Sequence, residues 1–365
     1  MNKPFNHPLF IALKKIAPAL AAGNSVIVKP SELAPISVLE FAEMAAEAGI
    51  PDGILSVLPG YGRTTGTELV SHPLIRKVDI TAGTATGRAL GSIVGSNLAS
   101  FTAELGGKAP ILIFDDADIL SAVNGAAFAS FIASGQTCVS GTRLIIQESV
   151  YDAFMELFLE KVVSITRRMG NPMNPQSTMG SIISPHHLRR IDETVRRRSS
   201  GTILAGGEPM RGTSTLDGFD FSQGSFYPPT VIADVEIEDG VWKEEVFGPS
   251  GLQCICFKDE EHGISLANYC QYGLGAGIWT KDLSRAHRVA ERLESGLVWV
   301  NTHHRNDPSS PWGGMKESGI GRENGIEALE AYSQSKSVTV NTAAPEESRV
   351  KDDWFSEQPN GKRYG

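Results

Sequence analysis

The chain has few cysteines, no long apolar run and no excess of positive charge. Its 365 residues include only four cysteines, too few for a disulfide framework, which indicates a reducing, cytoplasmic setting. No stretch approaches the roughly 20 apolar residues of a membrane helix, and the first residues lack the pattern of a secretory signal. The net charge of −9 argues against a nucleic-acid partner. We therefore expect a soluble protein without a membrane or nucleic-acid partner.

The composition and the alternation of predicted strands and helices are those of an α/β protein. Hydrophobic residues make up 41% of the chain and charged residues 21%, as in ordinary globular domains. Short apolar strands alternate with helical segments up to about residue 97, and a second such region begins near Lys108. Strands that alternate with helices at this spacing pair in parallel through crossovers. The pattern predicts parallel α/β sheets.

The stretch from Glu104 to Cys138 carries the strongest chemical signal. It sets a carboxylate before Gly106 and Gly107, and a thiol just after Gly135. Acyl chemistry on cysteine needs a thiolate and a base that later activates water, and glycines let backbone approach a flat ligand. The residues alone also allow a buried, inert Cys138 and a surface Glu104. No histidines accompany the cysteines at zinc-site spacing, so no metal site is predicted.

Three features lie at predicted strand ends, where open parallel sheets bind ligands. They are Lys29, the turn 82–87 and Glu104 itself. Free backbone N–H groups where the turn enters a helix suit a phosphate. The alternatives are a solvated Lys29 and a helix-capping role for Glu32.

Six motifs in order resemble the aldehyde dehydrogenase superfamily, over a span from Pro4 to about Asn341. They are Pro4-Phe5-Asn6-His7-Pro8, Lys29-Pro30-Ser31-Glu32, Glu104-Leu105-Gly106-Gly107-Lys108, Gly135-Gln136-Thr137-Cys138, Glu244-Glu245-Val246-Phe247-Gly248-Pro249 and Pro311-Trp312-Gly313-Gly314-Met315-Lys316-Glu317-Ser318-Gly319. The resemblance implies an aldehyde-dehydrogenase-like α/β fold and NAD-dependent oxidation of an aldehyde to a carboxylic acid.

The resemblance also implies catalytic roles. Cys138 would attack the aldehyde to form a thiohemiacetal, while the Asn6 amide and the Cys138 backbone N–H hold the oxyanion. Hydride transfer to a nicotinamide would leave a thioester. Glu104 would then activate the hydrolytic water.

Cofactor and substrate positions follow from the same resemblance. NAD is favoured over NADP because the charge of Glu32 disfavours a 2′-phosphate. The implied cofactor-binding residues are Lys29, Glu32, Gly83, Leu105, Glu245 and Phe247. The implied substrate residues are Thr137, Val139, His303, His304 and Arg305. Arg305 or a histidine would recognise a carboxylate or a polar ring substituent of a small aldehyde. Alternatively, the two histidines only hydrogen-bond their own loop.

The expected organisation has five parts. They are a partial dinucleotide-binding domain (1–106), a catalytic domain (107–310), a return segment (311–334), an oligomerisation strand (335–341) and a polar tail (342–365). The resemblance implies a homo-oligomer, a dimer or tetramer. It also implies a longer N-terminal section than this chain has, and Ala82 stands where glycine is common. These two departures leave a competing interpretation, a non-dehydrogenase descendant that serves as a binding or assembly protein or as a cofactor-free cysteine enzyme.

Overall fold

The computed structural model describes residues 5–250 and 252–351, with 353, 355 and 357. Pro4 of the first motif lies outside these residues, as does part of the predicted polar tail. The chain divides into two compact units, with the boundary between Tyr332 and Ser333. No helix within the described ranges is long and apolar enough to cross a membrane.

The first region, predicted as a partial dinucleotide-binding domain, forms two small sheets. Its elements are α1 (Pro8–Ala21), β1 (Val26–Val28), α2 (Ile36–Glu47), β2 (Leu55–Val57), α3 (Thr67–Ser71), β3 (Lys77–Thr81), α4 (Thr84–Ser96) and β4 (Ser100–Glu104). β1 pairs in parallel with β2, and β3 pairs in parallel with β4. The predicted α/β crossovers are therefore present, in separate sheets.

The packing of α1 explains the first of these sheets. Ala12, Ile16 and Ala19 recur at helical spacing and are buried with Val26 and Val28 in one apolar cluster. This spacing places the three side chains on one face of a helix. This packing fixes α1, which begins two residues after Asn6, against the sheet.

The second region contains a larger sheet. Its elements are β5 (Ala109–Ile113), α5 (Ile119–Phe131), β6 (Gly141–Gln147), α6 (Tyr151–Arg167), α7 (Pro185–Arg196), β7 (Thr202–Ala205), β8 (Val231–Ala233), α8 (Gly240–Lys243), β9 (Leu252–Phe257), α9 (Glu260–Asn268), β10 (Tyr272–Gly273), β11 (Gly275–Trp279), α10 (Leu283–Arg292) and β12 (Leu297–Val300). Seven strands form one sheet in the order β12-β11-β5-β6-β9-β8-β7. Its pairs are parallel except β7–β8.

Both faces of this sheet are covered. Every residue of β5 is buried, because successive side chains enter opposite apolar layers. Ile111 and Ile113 belong to the layer with α5 and α6. Leu112 belongs to the layer on the other face. A rigid sheet therefore lies beneath the loops that carry Cys138.

The chain then returns to the first region. The remaining elements are β13 (Met315–Lys316), β14 (Gly319–Ile320), α11 (Gly325–Ala331) and α12 (Pro345–Lys351). β14 pairs antiparallel with β4, with Gly319 opposite Glu104. The return segment thus supports the strand that ends in the predicted base. The predicted boundaries at 106 and 310 stay predictions.

The oligomerisation strand predicted at 335–341 is not formed within the single chain, and its role in assembly stays a prediction. These residues are exposed and none of them is in a strand. A strand requires a hydrogen-bonded neighbour, and β-prone residues such as Val338 and Val340 do not create one by themselves. Within the tail, the structure has a helix, α12.

Candidate active site

Cys138 lies in the loop between α5 and β6. Before it, a tight turn (Ile132–Gly135) includes Ala133 and Ser134 at φ 51° and 55°, in the left-handed region that turns the chain sharply. The side chain of Cys138 packs against a cluster that includes Trp299 and Trp312. The thiol is therefore held at an aromatic wall.

The Glu104–Lys108 turn lies directly against this loop. A Cβ at Gly107 would come within 2.2 Å of the Cys138 carbonyl oxygen, so only glycine fits there. Burial, together with the nearby charges of Glu245 and Glu104, raises the pKa of the Cys138 thiol to about 12, against the opposing effect of the Lys14 ammonium. The resting thiol is consequently protonated at neutral pH.

Glu104 is a buried carboxylate at the end of β4. Glu104 is only 3% exposed, and neither of its carboxylate oxygens has a hydrogen-bond partner among the described residues. Burial, followed by repulsion from Glu323, raises the pKa of Glu104 well above its usual range. A carboxyl group in this state can accept a proton near neutral pH.

Four charged side chains behind Glu104 were not predicted. Lys15 is fully buried and forms ion pairs with Asp79 and Glu323. Lys14 Nζ lies 2.8 Å from Glu323 Oε2. We call Lys14, Glu323, Lys15 and Asp79 the ion chain. The Tyr332 hydroxyl donates to Asp79 Oδ2 at 2.6 Å, so the ion chain ties α1 to β3 and to the end of the return segment.

The ion chain sets the charge state of its central carboxylate. Burial alone would raise the pKa of Glu323, but attraction to Lys15 and Lys14 outweighs it and lowers the pKa to about 2. The sequence contained a local signal for the ion chain, since Lys15 interrupts the apolar face of α1 and Asp79 interrupts an apolar strand. The pairing of Lys15 with Glu323, which lies 308 positions away, had no local signal in the sequence.

Lys29 and Glu32 lie together beyond β1. Lys29 is buried and donates from Nζ to the carbonyl oxygens of Pro30, at 2.6 Å, and Gly60, at 3.0 Å. Its ammonium is 3.6 Å from Glu32 Oε2, whose side chain is 45% exposed. An ammonium beside an accessible carboxylate presents a donor and an acceptor together, as a ribose diol requires.

Gly83 has space for a ligand above it. Gly83 is exposed, and a Cβ placed there would meet nothing within 4 Å. α4 begins at the next residue, and no side chain caps it. Its first backbone N–H groups therefore remain available for a phosphate. Leu105, by contrast, packs beneath α4, since a Cβ at Gly87 would lie 2.5 Å from Leu105 Cδ2.

Glu245 closes the space beside Gly106 and Gly107. The Gly107 N–H donates to Glu245 Oε1 at 2.9 Å, and a Cβ at Gly106 would come within 2.6 Å of Oε2. Burial raises the pKa of Glu245 to about 7, with the Gly107 hydrogen bond and the charge of Arg190 opposing that rise. The backbone of Gly106 and Gly107 is a surface that a flat ring can approach closely.

Phe247 is held by a histidine that was not predicted. Phe247 has φ 60°, a strained conformation for an aromatic residue. His187 Nε2–H donates to the Phe247 carbonyl oxygen at 2.7 Å. The Phe247 ring also meets Phe5 edge to face, at 5.6 Å between centroids. These contacts link the loop after Glu245 to the segment that carries Asn6, which is 9% exposed at the start of α1.

The predicted substrate residues divide between buried and accessible ones. Thr137 and Val139 flank Cys138 and are buried. His303 is also buried, and its Nε2–H donates to the Val139 carbonyl oxygen at 2.7 Å. Burial lowers the pKa of His303 to about 4, against the effect of that hydrogen bond. A neutral His303 therefore holds the loop that carries Cys138 rather than its own loop, and its predicted role toward the substrate stays a prediction.

His304 and Arg305 lie nearer to solvent. His304 is half-buried, and its ring centroid lies 6.2 Å from that of His7 and 6.5 Å from that of Phe128. Burial lowers the pKa of His304 to about 4, so this ring is neutral at neutral pH. The Arg305 side chain is exposed, while its carbonyl oxygen accepts from Trp299 Nε1 at 3.0 Å.

Comparison with known proteins identifies the family. The model of the aldehyde dehydrogenase family matches residues 3–338. The chain belongs to the aldehyde dehydrogenase family. The prediction from the six motifs is thereby confirmed, as is the predicted fold, because solved aldehyde dehydrogenases superimpose on it with TM-scores near 0.87.

Three relatives illustrate the match. A betaine aldehyde dehydrogenase from Mesorhizobium japonicum is 42% identical over 339 residues, which cover 93% of this chain and 68% of that protein. The structure of an NAD-dependent aldehyde dehydrogenase from Sinorhizobium meliloti has a TM-score of 0.89 at 34% identity, covering 94% of this chain and 66% of the other. PnpE from Pseudomonas sp. WBC-3, solved with nicotinamide adenine dinucleotide, has a TM-score of 0.88 at 40% identity, covering 94% and 69%. This chain therefore spans about two thirds of their lengths.

Proposed function

We propose that this aldehyde dehydrogenase family member oxidises an aldehyde to a carboxylic acid with NAD, through Cys138 and Glu104. The observation that carries the proposal is the buried Glu104 carboxylate, with both oxygens unpartnered among the described residues, beside the loop of Cys138. A buried acid with no structural partner is costly unless it has a task. The competing interpretation, a non-dehydrogenase descendant, is not favoured.

The first covalent step takes place on Cys138. The Cys138 thiol first loses its proton to a base, and the thiolate attacks the aldehyde carbon while the carbonyl π electrons move to the oxygen. The Asn6 side-chain amide and the Cys138 backbone N–H stabilise this oxyanion. NAD, when bound, supplies the acceptor for the hydride that leaves the same carbon. The chain's own residues hold the resulting thioester at Cys138.

Glu104 completes the reaction. Its carboxylate removes a proton from water, the hydroxide oxygen attacks the thioester carbon, and the C–S bond breaks to release the acid and the Cys138 thiolate. The raised pKa of Glu104 suits this role, because it makes the carboxylate a stronger base than a solvated one.

NAD fits the residues described above. Lys29 and Glu32 would bind a ribose, the N-terminus of α4 after Gly83 a phosphate, and Glu245 and Phe247 the nicotinamide end. Leu105 would contribute apolar support from beneath α4. The accessible Glu32 carboxylate repels a 2′-phosphate, which makes NADP the poorer cofactor.

Assembly and location are also proposals. Val338 and Val340 lie two positions apart in the exposed segment 335–341, and 75% and 72% of their surfaces are exposed. This spacing is typical of an edge strand that can pair with another chain. Pairing with a second copy would give a dimer or tetramer. Elution as a monomer at working concentration would contradict this. The four free cysteines support a reducing, cytoplasmic location.

The test is burst kinetics of NADH formation with a panel of aldehydes. We expect turnover by the wild-type chain and none by Cys138→Ala. Glu104→Gln should release a single burst of NADH and then turn over roughly 10²–10⁴-fold more slowly, because the thioester accumulates. Glu43→Gln, which alters an exposed carboxylate, is the matched control. Calorimetry with NAD accompanies the assay. No NAD binding by the folded chain, or an unchanged steady state in Glu104→Gln, would contradict the proposal.

A further inference from the structure

A cation, Lys14, lies on α1, the helix that follows the predicted oxyanion residue Asn6. Phe10 and Lys14 are four residues apart on α1, and such positions share one helix face. The Lys14 ammonium is 5.9 Å from the Phe10 ring centroid. The His7 ring, in turn, adjoins His304. The residue that precedes α1 therefore contacts the predicted substrate loop.

Lys14 is also the accessible end of the ion chain. Its side chain is 9% exposed, whereas that of Lys15 is fully buried. Lys15 lies between two carboxylates, whereas Lys14 has a single ion-pair partner among the described residues, Glu323, whose charge is shared with Lys15. An ammonium group has three donors, and one is directed to Glu323. No second ion pair of Lys14 is formed among the described residues, so its other donors can bind a ligand.

Trp312 connects Lys14 to the reacting groups. The Lys14 ammonium lies 4.4 Å from the Trp312 ring centroid, and Cys138 packs against the cluster that contains this ring. The next residue, Gly313, lies beside the base, since a Cβ there would be 2.8 Å from Glu104 Oε1. The cation and the thiol thus lie at one aromatic side chain, and the base lies beside the residue that follows it.

We propose that Lys14 is a specificity-determining residue that selects aldehydes bearing a carboxylate at the end remote from the carbonyl group. This inference rests on the proposed function. The carboxylate would accept a charge-assisted hydrogen bond from the Lys14 ammonium while the aldehyde carbon meets Cys138. A partly buried cation gains most from such a partner, because water screens it poorly.

The same geometry disfavours a cationic aldehyde. A quaternary ammonium group binds well over the face of a tryptophan, but Lys14 already lies over Trp312. The neutral His304 offers no negative charge to compensate. We therefore expect betaine aldehyde to be a poor ligand, although a relative at 42% identity is named for it.

Ligand binding to Cys138→Ala tests the inference without turnover or cofactor. The probes are 4-oxobutanoate, butanal and betaine aldehyde, titrated by calorimetry. We expect 4-oxobutanoate to bind at least about tenfold more tightly than the other two. The double variant Cys138→Ala with Lys14→Met should lose this preference, and Lys14→Arg should retain most of it. Arg305→Met, which removes the exposed cation of the substrate loop, should leave it intact.

Each remaining outcome decides against the inference. Equal affinities, no binding of any probe, or a preference that survives Lys14→Met would overturn it. Loss of the preference in Arg305→Met but not in Lys14→Met would assign carboxylate recognition to Arg305 instead. Circular dichroism checks that each variant is folded.

Turnover separates this inference from the proposed function. If the wild-type chain reduces NAD with butanal as fast as with 4-oxobutanoate, the dehydrogenase proposal stands and the role of Lys14 is refuted. If 4-oxobutanoate binds selectively but no aldehyde is oxidised, the carboxylate site stands and the dehydrogenase proposal fails.

Discussion

Lys15→Met should destabilise the protein strongly, because it removes the centre of the ion chain. Lys15 is 0% exposed and contacts both Asp79 and Glu323. Methionine has a similar length and fills most of the same volume, so the cavity contribution is small. The main effect is that two buried carboxylates lose their shared cation.

The magnitude follows from the burial of these groups. Removing one partner of a buried ion pair costs about 3–5 kcal/mol. Tyr332 still donates to Asp79, and Lys14 still pairs with Glu323, which limits the loss. We expect the free energy of unfolding to fall by about 3–5 kcal/mol at pH 7.

The pH dependence gives the effect a signature. The pKa of Glu323 is lowered from 4.5 to about 2 in the folded protein, so this group stabilises the fold above pH 4.5 and loses that contribution as the pH falls toward 2. Lys15→Met weakens the interaction that lowers this pKa. The difference between wild type and variant should therefore be largest near neutral pH and should narrow below pH 4.5.

Urea titrations at several pH values, followed by tryptophan fluorescence, measure these differences. Lys243→Met is the matched control, because Lys243 forms an exposed ion pair with Glu238 and its loss should not be measurable. A loss below about 1 kcal/mol in Lys15→Met, or one that does not change between pH 7 and pH 3, would refute the reasoning.

Two further predictions concern the active site. Activity should rise from pH 6 toward alkaline pH, because Cys138 and Glu104 act in their deprotonated forms and both of their pKa values are raised. A plot of log kcat/KM against pH measures this rise, and a maximum at or below pH 7 would contradict it. Gly107→Ala should abolish NADH formation and destabilise the fold by about 1–3 kcal/mol, because its Cβ would lie 2.2 Å from the Cys138 carbonyl oxygen. Gly95→Ala, where a Cβ meets nothing within 4 Å, is the control, and equal effects of the two substitutions would exclude the steric explanation.

The sequence alone determined the family, the fold class and the candidate nucleophile and base. These depend on short motifs in which neighbouring residues carry the chemistry, such as Cys138 after Gly135 and Glu104 before Gly106. Strand and helix positions were predictable for the same reason, since periodicity and turn residues act locally. Segment 335–341 had the local pattern of a strand, but strand formation also requires a paired neighbour.

Only the tertiary structure decided which distant groups meet. Lys15 and Glu323 are 308 positions apart in the sequence, and the hydrogen bond from His303 to Val139 joins residues that are 164 positions apart. Burial then sets the charge states, because the desolvation of Glu104 depends on everything packed around it. No local pattern encodes that environment. The sequence could therefore indicate the candidate catalytic residues, while the folded structure shows the burial that shifts their pKa values and places Lys14 beside Trp312.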